Sequence, residues 1–187
     1  MPARTLLIVW HSTTGGTRQM VDAAEAGARI QAAESHDDSH DDASTALHIR
    51  RLHALDAGPA DVLGADGLLF ATPECLGSMA GLLKDFFDRC YHPVLAPGAD
   101  DSTACSVAGR AYASLICAGS DGQGAARQIA RIATGWRLVA VAEPLIVCTH
   151  AQTPQAVAAP KQIAPNELQR CHDLGSALAA GLKMGVF

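Results

Sequence analysis

Four apolar runs, at residues 5–10, 67–72, 111–117 and 138–148, are separated by stretches long enough to hold a helix, and this alternation constrains the fold more than any other feature. The runs are rich in Val, Ile and Leu, continuous rather than alternating, and bounded by glycine, proline or small polar residues. A strand buried on both faces has this pattern, as parallel strands do when helices cover both sides of their sheet. A fifth, weaker candidate at 46–51 alternates Leu47, Ile49 and Leu52 with His48 and Arg50, which suits a half-exposed edge. Between the runs the period changes to that of helices. Met20, Val21, Ala24 and Ala28 share one face; Met79, Leu82, Leu83, Phe86, Phe87 and Cys90 form a stripe opposite Lys84, Asp85 and Asp88. The same spacing recurs at Ala126, Ile129, Ala130 and Ala133, and again from Leu168 to Leu182 behind a cap expected at Asn166, with a short helix at 59–63. Five alternations predict a doubly wound α/β fold whose ligand sits beyond the carboxyl ends of the strands. No internal repeat marks a second unit, so residues 1–187 read as a single domain.

Composition narrows the partners. The net charge is -5 with no basic cluster, which argues against nucleic acid and against an anionic membrane. The first apolar run is too short for a signal peptide or a membrane span. The six cysteines, at 75, 90, 105, 117, 148 and 171, include no C-x-x-C pair, which predicts reduced thiols, a cytoplasmic protein and no metal centre. Within residues 34–45 the tandem SHDDSHDD offers histidine and aspartate to a divalent cation, but no regular element there fixes a ligand geometry, so a solvated loop is the plainer reading.

The first run leads into His11, Ser12, Thr13, Thr14, Gly15, Gly16 and Thr17, written HSTTGGT, and then into a helix. A strand-to-helix turn gathers backbone N–H groups and the positive end of the helix dipole, which favours a phosphate. The hydroxyls add donors without charge, and the glycines permit close backbone approach. No G-K-[ST] follows, and G-x-G-x-x-G is absent, so neither the triphosphate nor the dinucleotide fingerprint is present. Without a lysine, the loop is expected to hold a monophosphate through neutral donors. A capped helix start with no ligand is the competing reading.

At Ser12, Thr14, Gly15 and Thr17 the loop resembles the S-x-T-G-x-T pattern of the flavodoxin-like superfamily. That resemblance implies a five-stranded parallel sheet of order 2-1-3-4-5 and FMN as cofactor. It also implies that the loops after the third and fourth strands hold the flavin ring. The third strand ends in Thr72, Pro73, Glu74, Cys75, Leu76, Gly77, Ser78 and Met79. With the following AGLLKDFFD, this stretch resembles NAD(P)H:quinone oxidoreductases of the tryptophan-repressor-binding-protein type and NADPH-dependent FMN reductases. In the loop after the fourth strand, Gly119, Ser120, Asp121 and Gly122 carry the resemblance. Met79 equally continues a helix stripe, and Ser120 or Asp121 equally suits a helix cap.

Neither flavin loop contains Trp or Tyr, and the acidity is modest, so an enzyme is favoured over a flavodoxin-type electron carrier or a flavin-binding module without turnover. The expected activity is electron transfer from NAD(P)H through FMN to a quinone or similar small acceptor. The flavin carries the chemistry, and no catalytic side chain is required. His11 and His92 are the candidates if a proton donor is used. The resemblance further implies a homo-oligomer, dimer or tetramer.

Overall fold

The computed structural model describes residues 3–33, 46–98 and 101–187. The SHDDSHDD stretch lies outside the described residues. In chain order the elements are β1 (Arg4–Trp10), α1 (Gly16–Ala33), β2 (Leu47–His53), α2 (Pro59–Leu63), β3 (Gly67–Cys75), β4 (Ser78–Met79), α3 (Gly81–Leu95), β5 (Pro97–Gly98), β6 (Asp101–Cys105), β7 (Ala111–Ala118), α4 (Gln123–Gly135), β8 (Val139–Ala140), β9 (Leu145–Cys148), α5 (Pro154–Ala158) and α6 (Pro165–Met184). The main sheet runs β2-β1-β3-β7, all parallel, with β8 and β9 pairing in turn along the outer side of β7. This is the expected 2-1-3-4-5 order, with two short strands in the fifth place. β4 folds back antiparallel on β3, and β5 and β6 form a separate antiparallel pair.

Three local expectations are corrected. The run at 138–148 is not one strand: it pairs with β7 at Val139–Ala140, lapses, and resumes at Leu145. Pro144 has no amide hydrogen for the ladder, which breaks the pairing there. Asn166 does not cap the last helix. Pro165, with its preset φ, opens α6, Ala164 takes the cap position without a side-chain bond, and Asn166 donates to Glu167 at 3.3 Å. Met79 belongs to β4 and not to the helix that follows it.

Strand side chains alternate between two cores. Leu7, Val9, Leu68, Phe70 and Ile116 face α2, α3 and α4, where Phe70 meets Phe86, Phe87, Tyr112 and Trp136 at ring centroid separations of 6.3, 4.9, 6.3 and 6.5 Å respectively. Leu6, Ile8, Leu69 and Leu115 face α1 and α6. These two helices approach each other backbone to backbone. A Cβ on Gly175 would lie 1.9 Å from the carbonyl oxygen of Ala24, and one on Gly27 would lie 2.1 Å from that of His172. Register places the carboxyl ends of β1, β3, β7 and β9 along one edge, with Trp10 opposite Ala71, Pro73 opposite Cys117 and Ala118 opposite Cys148.

Helix propensity favours alanine over glycine by roughly 1 kcal/mol, whereas forcing a methyl into packed backbone costs about 1–3 kcal/mol. At Gly175 the obstacle is backbone, so overpacking wins. Gly175→Ala is therefore expected to lower the urea midpoint, while Gly135→Ala, which meets nothing within 4 Å, leaves it equal or higher. Equal midpoints for the two variants would refute the close α1–α6 contact.

Candidate functional site

Beyond β1 the ladder continues for one residue, as the His11 amide donates to Ala71 at 3.0 Å. The chain then turns. Ser12 Oγ accepts from the Gly15 amide at 3.1 Å, and Gly15 adopts a φ of 84°, which a side chain would strain. Helix α1 begins at once, leaving its first-turn amides without intrahelical partners. Gly16 is pressed against the end of β7: a Cβ there would sit 2.5 Å from Cys117 Sγ. Thr17 Oγ1 is buried with no hydrogen-bond partner among the described residues. A buried hydroxyl left unpaired costs about 1–3 kcal/mol, so the loop presents an unmet demand for a polar ligand atom.

A cavity of ≈ 220 Å³ opens on this loop. Ser12, Thr13, Thr14, Gly16 and Thr17 form its floor. Pro73, Glu74 and Cys75 supply one wall and Cys117, Ala118 and Gly119 another. Thr149, Ala151, Val157 and Lys161 close the remaining side. Hydroxyls and helix-start amides at one end, and a largely apolar slot beyond them, suit a phosphate attached to a flat ring system. FMN fits this description: the orphaned Thr17 hydroxyl, beside the first-turn amides of α1, is a donor that a phosphate oxygen would satisfy.

The flavin-loop candidates are tied together from within. Glu74 receives the Gly122 amide at 2.9 Å and the Gly124 amide at 3.2 Å, so its carboxylate sits on the amino end of α4. Gln128, from the same helix, accepts from the Met79 amide at 3.0 Å and donates to Ser78 at 3.1 Å. Thr72 is buried, accepts from the Ala80 amide at 2.9 Å and donates to the Pro73 carbonyl at 2.9 Å. A side chain on Gly124 would collide with the Gly77 carbonyl, 1.9 Å away. Glu74→Ala leaves two helix-start amides to water and is expected to cost about 1–2 kcal/mol of stability by urea denaturation. An unchanged midpoint would mean that Glu74 does not bridge the loops in solution.

Of the sequence candidates, Ser12, Thr13, Thr14, Gly16, Thr17, Pro73, Glu74, Cys75 and Gly119 meet at the cavity. Gly15 faces an outer concavity with Trp10, Arg18 and Pro160. Thr72, Gly77, Ser78 and Met79 shape the second loop, and Met79 lines a groove with Tyr91 and Trp136 instead. Gly122, at φ 79°, caps α4, and Ser120 and Asp121 precede it without lining the cavity. Gln19, Cys117, Thr149 and Lys161 were not singled out in the sequence. Gln19 lies one helix turn past the loop, but the other three carry no local signal.

His11 turns away from the cavity. Its Nδ1 lies 2.9 Å from His53 Nε2, within hydrogen-bond distance, and the Leu55 amide donates to His53 Nδ1 at 3.3 Å. Arg51 stacks over Trp10 at 4.6 Å beside them. Burial, and then the neighbouring His53, hold the His11 pKa below its ordinary 6.5. The unfolded chain therefore binds a proton that the folded chain resists. This contribution to stability is intact above pH 6.5 and is lost as pH falls below it. His11→Gln should lose less stability than the wild type between pH 7.5 and 5.5. Identical losses would remove His11 from the acid response.

Nothing around the cavity thiols activates them. Burial, reinforced by Glu74, raises Cys75, and burial pushes Cys117 up to about 11 against the opposing charge of Lys161. Among the described residues no group of side chains has the makings of a metal site. No described helix is long and apolar enough to cross a membrane.

A parallel 2-1-3-4-5 sheet, with a hydroxyl-rich cradle after its first strand, defines a flavodoxin-like protein. Solved structures of this fold superpose along nearly the whole chain. A flavodoxin from the domain Archaea gives a TM-score of 0.67 at 16% identity, covering 96% of this chain and 99% of that one. A flavodoxin, WrbA-like protein from Agrobacterium tumefaciens gives 0.66 at 14% identity, covering 98% and 99%. Residues 12–153 match the family model described as NADPH-dependent FMN reductase, and the chain belongs to that family. A curated relative, an NAD(P)H dehydrogenase (quinone) from Acidithiobacillus ferrooxidans, is 30% identical over 91 residues. That match covers 45% of this chain and 46% of the relative, so the chain matches less than half of that protein's length.

Proposed function

We propose that the protein oxidises NAD(P)H and reduces a quinone or a similar flat, small acceptor, using FMN held in the cavity described above. The observation that carries this reading is the absence of any aromatic side chain among the described residues lining that cavity. Trp136 is buried in the core, and Trp10 is engaged by Arg51 and His53, so neither covers a ring there. A flavin face left open has room for a nicotinamide and then for the acceptor to stack. The name of the Acidithiobacillus ferrooxidans relative points to the same acceptor class.

The chemistry supplied by the bound flavin is two-electron transfer between the nicotinamide and the acceptor. The side chains hold and orient. Ser12, Thr13, Thr14 and Thr17 offer hydroxyls to the phosphate alongside the first-turn amides of α1. Pro73 to Cys75 and Ala118 to Gly119 flank the ring slot.

The test is a visible spectrum of the protein with FMN, followed anaerobically by NADPH or, separately, NADH, and then benzoquinone. Flavin absorption that bleaches with NADPH and returns with the quinone is expected. Flavin that binds and ignores both nicotinamides would move the protein to the carriers or sensors, and no flavin binding would refute the cofactor site.

A further inference from the structure

After β9 the chain runs back across the phosphate loop before entering α6, and its attachment there is tight. The Thr149 amide and hydroxyl both donate to the Ala118 carbonyl, at 2.9 and 3.1 Å. Twelve residues on, the Lys161 amide donates to the Thr14 carbonyl at 2.9 Å. Gln19, in the first turns of α1, donates to the Lys161 carbonyl at 2.7 Å and accepts from the Ile163 amide at 3.2 Å. Both backbone polar groups of Lys161 are thus bound to the loop or to the helix it opens. Its Cβ lies 3.2 Å from where a Cβ on Gly16 would stand.

Lys161 lines the cavity beside Val157. Its Nζ now donates to the carbonyls of Ala156, Val157 and Ala159, at 2.7, 2.9 and 2.6 Å, at the end of α5. α5 is five residues long with none buried, so water can replace an ammonium proton at those carbonyls. A phosphate dianion is a stronger partner for that ammonium than a neutral carbonyl. Arg18 lines an adjoining concavity that shares Ser12, Thr13 and Thr14 with the cavity, whereas Lys161 lines the cavity itself.

We propose that Lys161 is the cation for the ligand's phosphate, exchanging one or more α5 carbonyls for phosphate oxygens, so that the site selects a phosphorylated flavin by charge as well as by hydroxyl donors. The inference rests on the FMN reading above and adds a specificity determinant to it. The alternative is that Lys161 only fastens α5.

The two roles separate when FMN and riboflavin, which share the ring and differ in the phosphate, are titrated by fluorescence quenching against wild type, Lys161→Met and Lys161→Arg. Lys161→Met keeps the stem and removes the charge. It is expected to lower the FMN to riboflavin affinity ratio by about tenfold, equal to ~1.4 kcal/mol. Lys161→Arg should restore most of the ratio, and added salt should weaken FMN binding in the wild type more than in Lys161→Met. Riboflavin affinity serves as the internal check that the cavity has kept its shape. A parallel loss for both flavins, or no loss for either, overturns the proposal while leaving the FMN reading in place. A wild type that binds neither flavin overturns the FMN reading itself, and this inference with it.

Discussion

Strands β1, β3 and β7 lie at the centre of the sheet with helices over both faces, so each side chain on them must be apolar or must find its polar partner inside the protein. β7 is buried along its whole length. At Thr72, near the end of β3, the hydroxyl is satisfied by the Ala80 amide and the Pro73 carbonyl, and in satisfying it the strand fixes the turn that follows. The loops that build the site are therefore continuations of rigid strands, held by the hydrogen bonds that the interior demands.

The same logic organises the contacts between loops. Glu74 draws the second loop onto the amino end of α4, and Gln128 returns two more bonds from one turn further along. Glycines stand where backbones touch: Gly16 against Cys117, Gly124 against Gly77, and Gly175 against Ala24. Against this background of satisfied groups, the unpaired Thr17 hydroxyl stands out, because it is the buried polar side-chain atom for which the protein provides no partner among the described residues.

Electrostatics within an acidic chain follow from placement more than from number. The protein carries a net charge of -5, yet Lys161 is brought to the cavity that would receive an anionic group. It arrives from a proline-rich connector well separated in sequence from the loop it adjoins, held by backbone bonds to Thr14 and Gln19.

The sequence by itself determined the architecture. Short continuous apolar runs bounded by glycine and proline read as strands buried on both faces, and HSTTGGT between a strand and a helix can be read as an anion cradle, because both signals are local. The motif after β3 was legible for the same reason, although its members divide in the fold: Pro73, Glu74 and Cys75 reach the cavity, while Ser78 and Met79 turn towards Gln128. Only the tertiary structure decided that Glu74 bridges two loops, that His11 pairs with His53 instead of facing the ligand, and that Lys161 supplies a cation where the loop itself has none. Each depends on residues 42 or more apart in sequence. Such pairings leave no periodic trace, because they are set by how strands align and helices pack, and no short stretch of sequence encodes that.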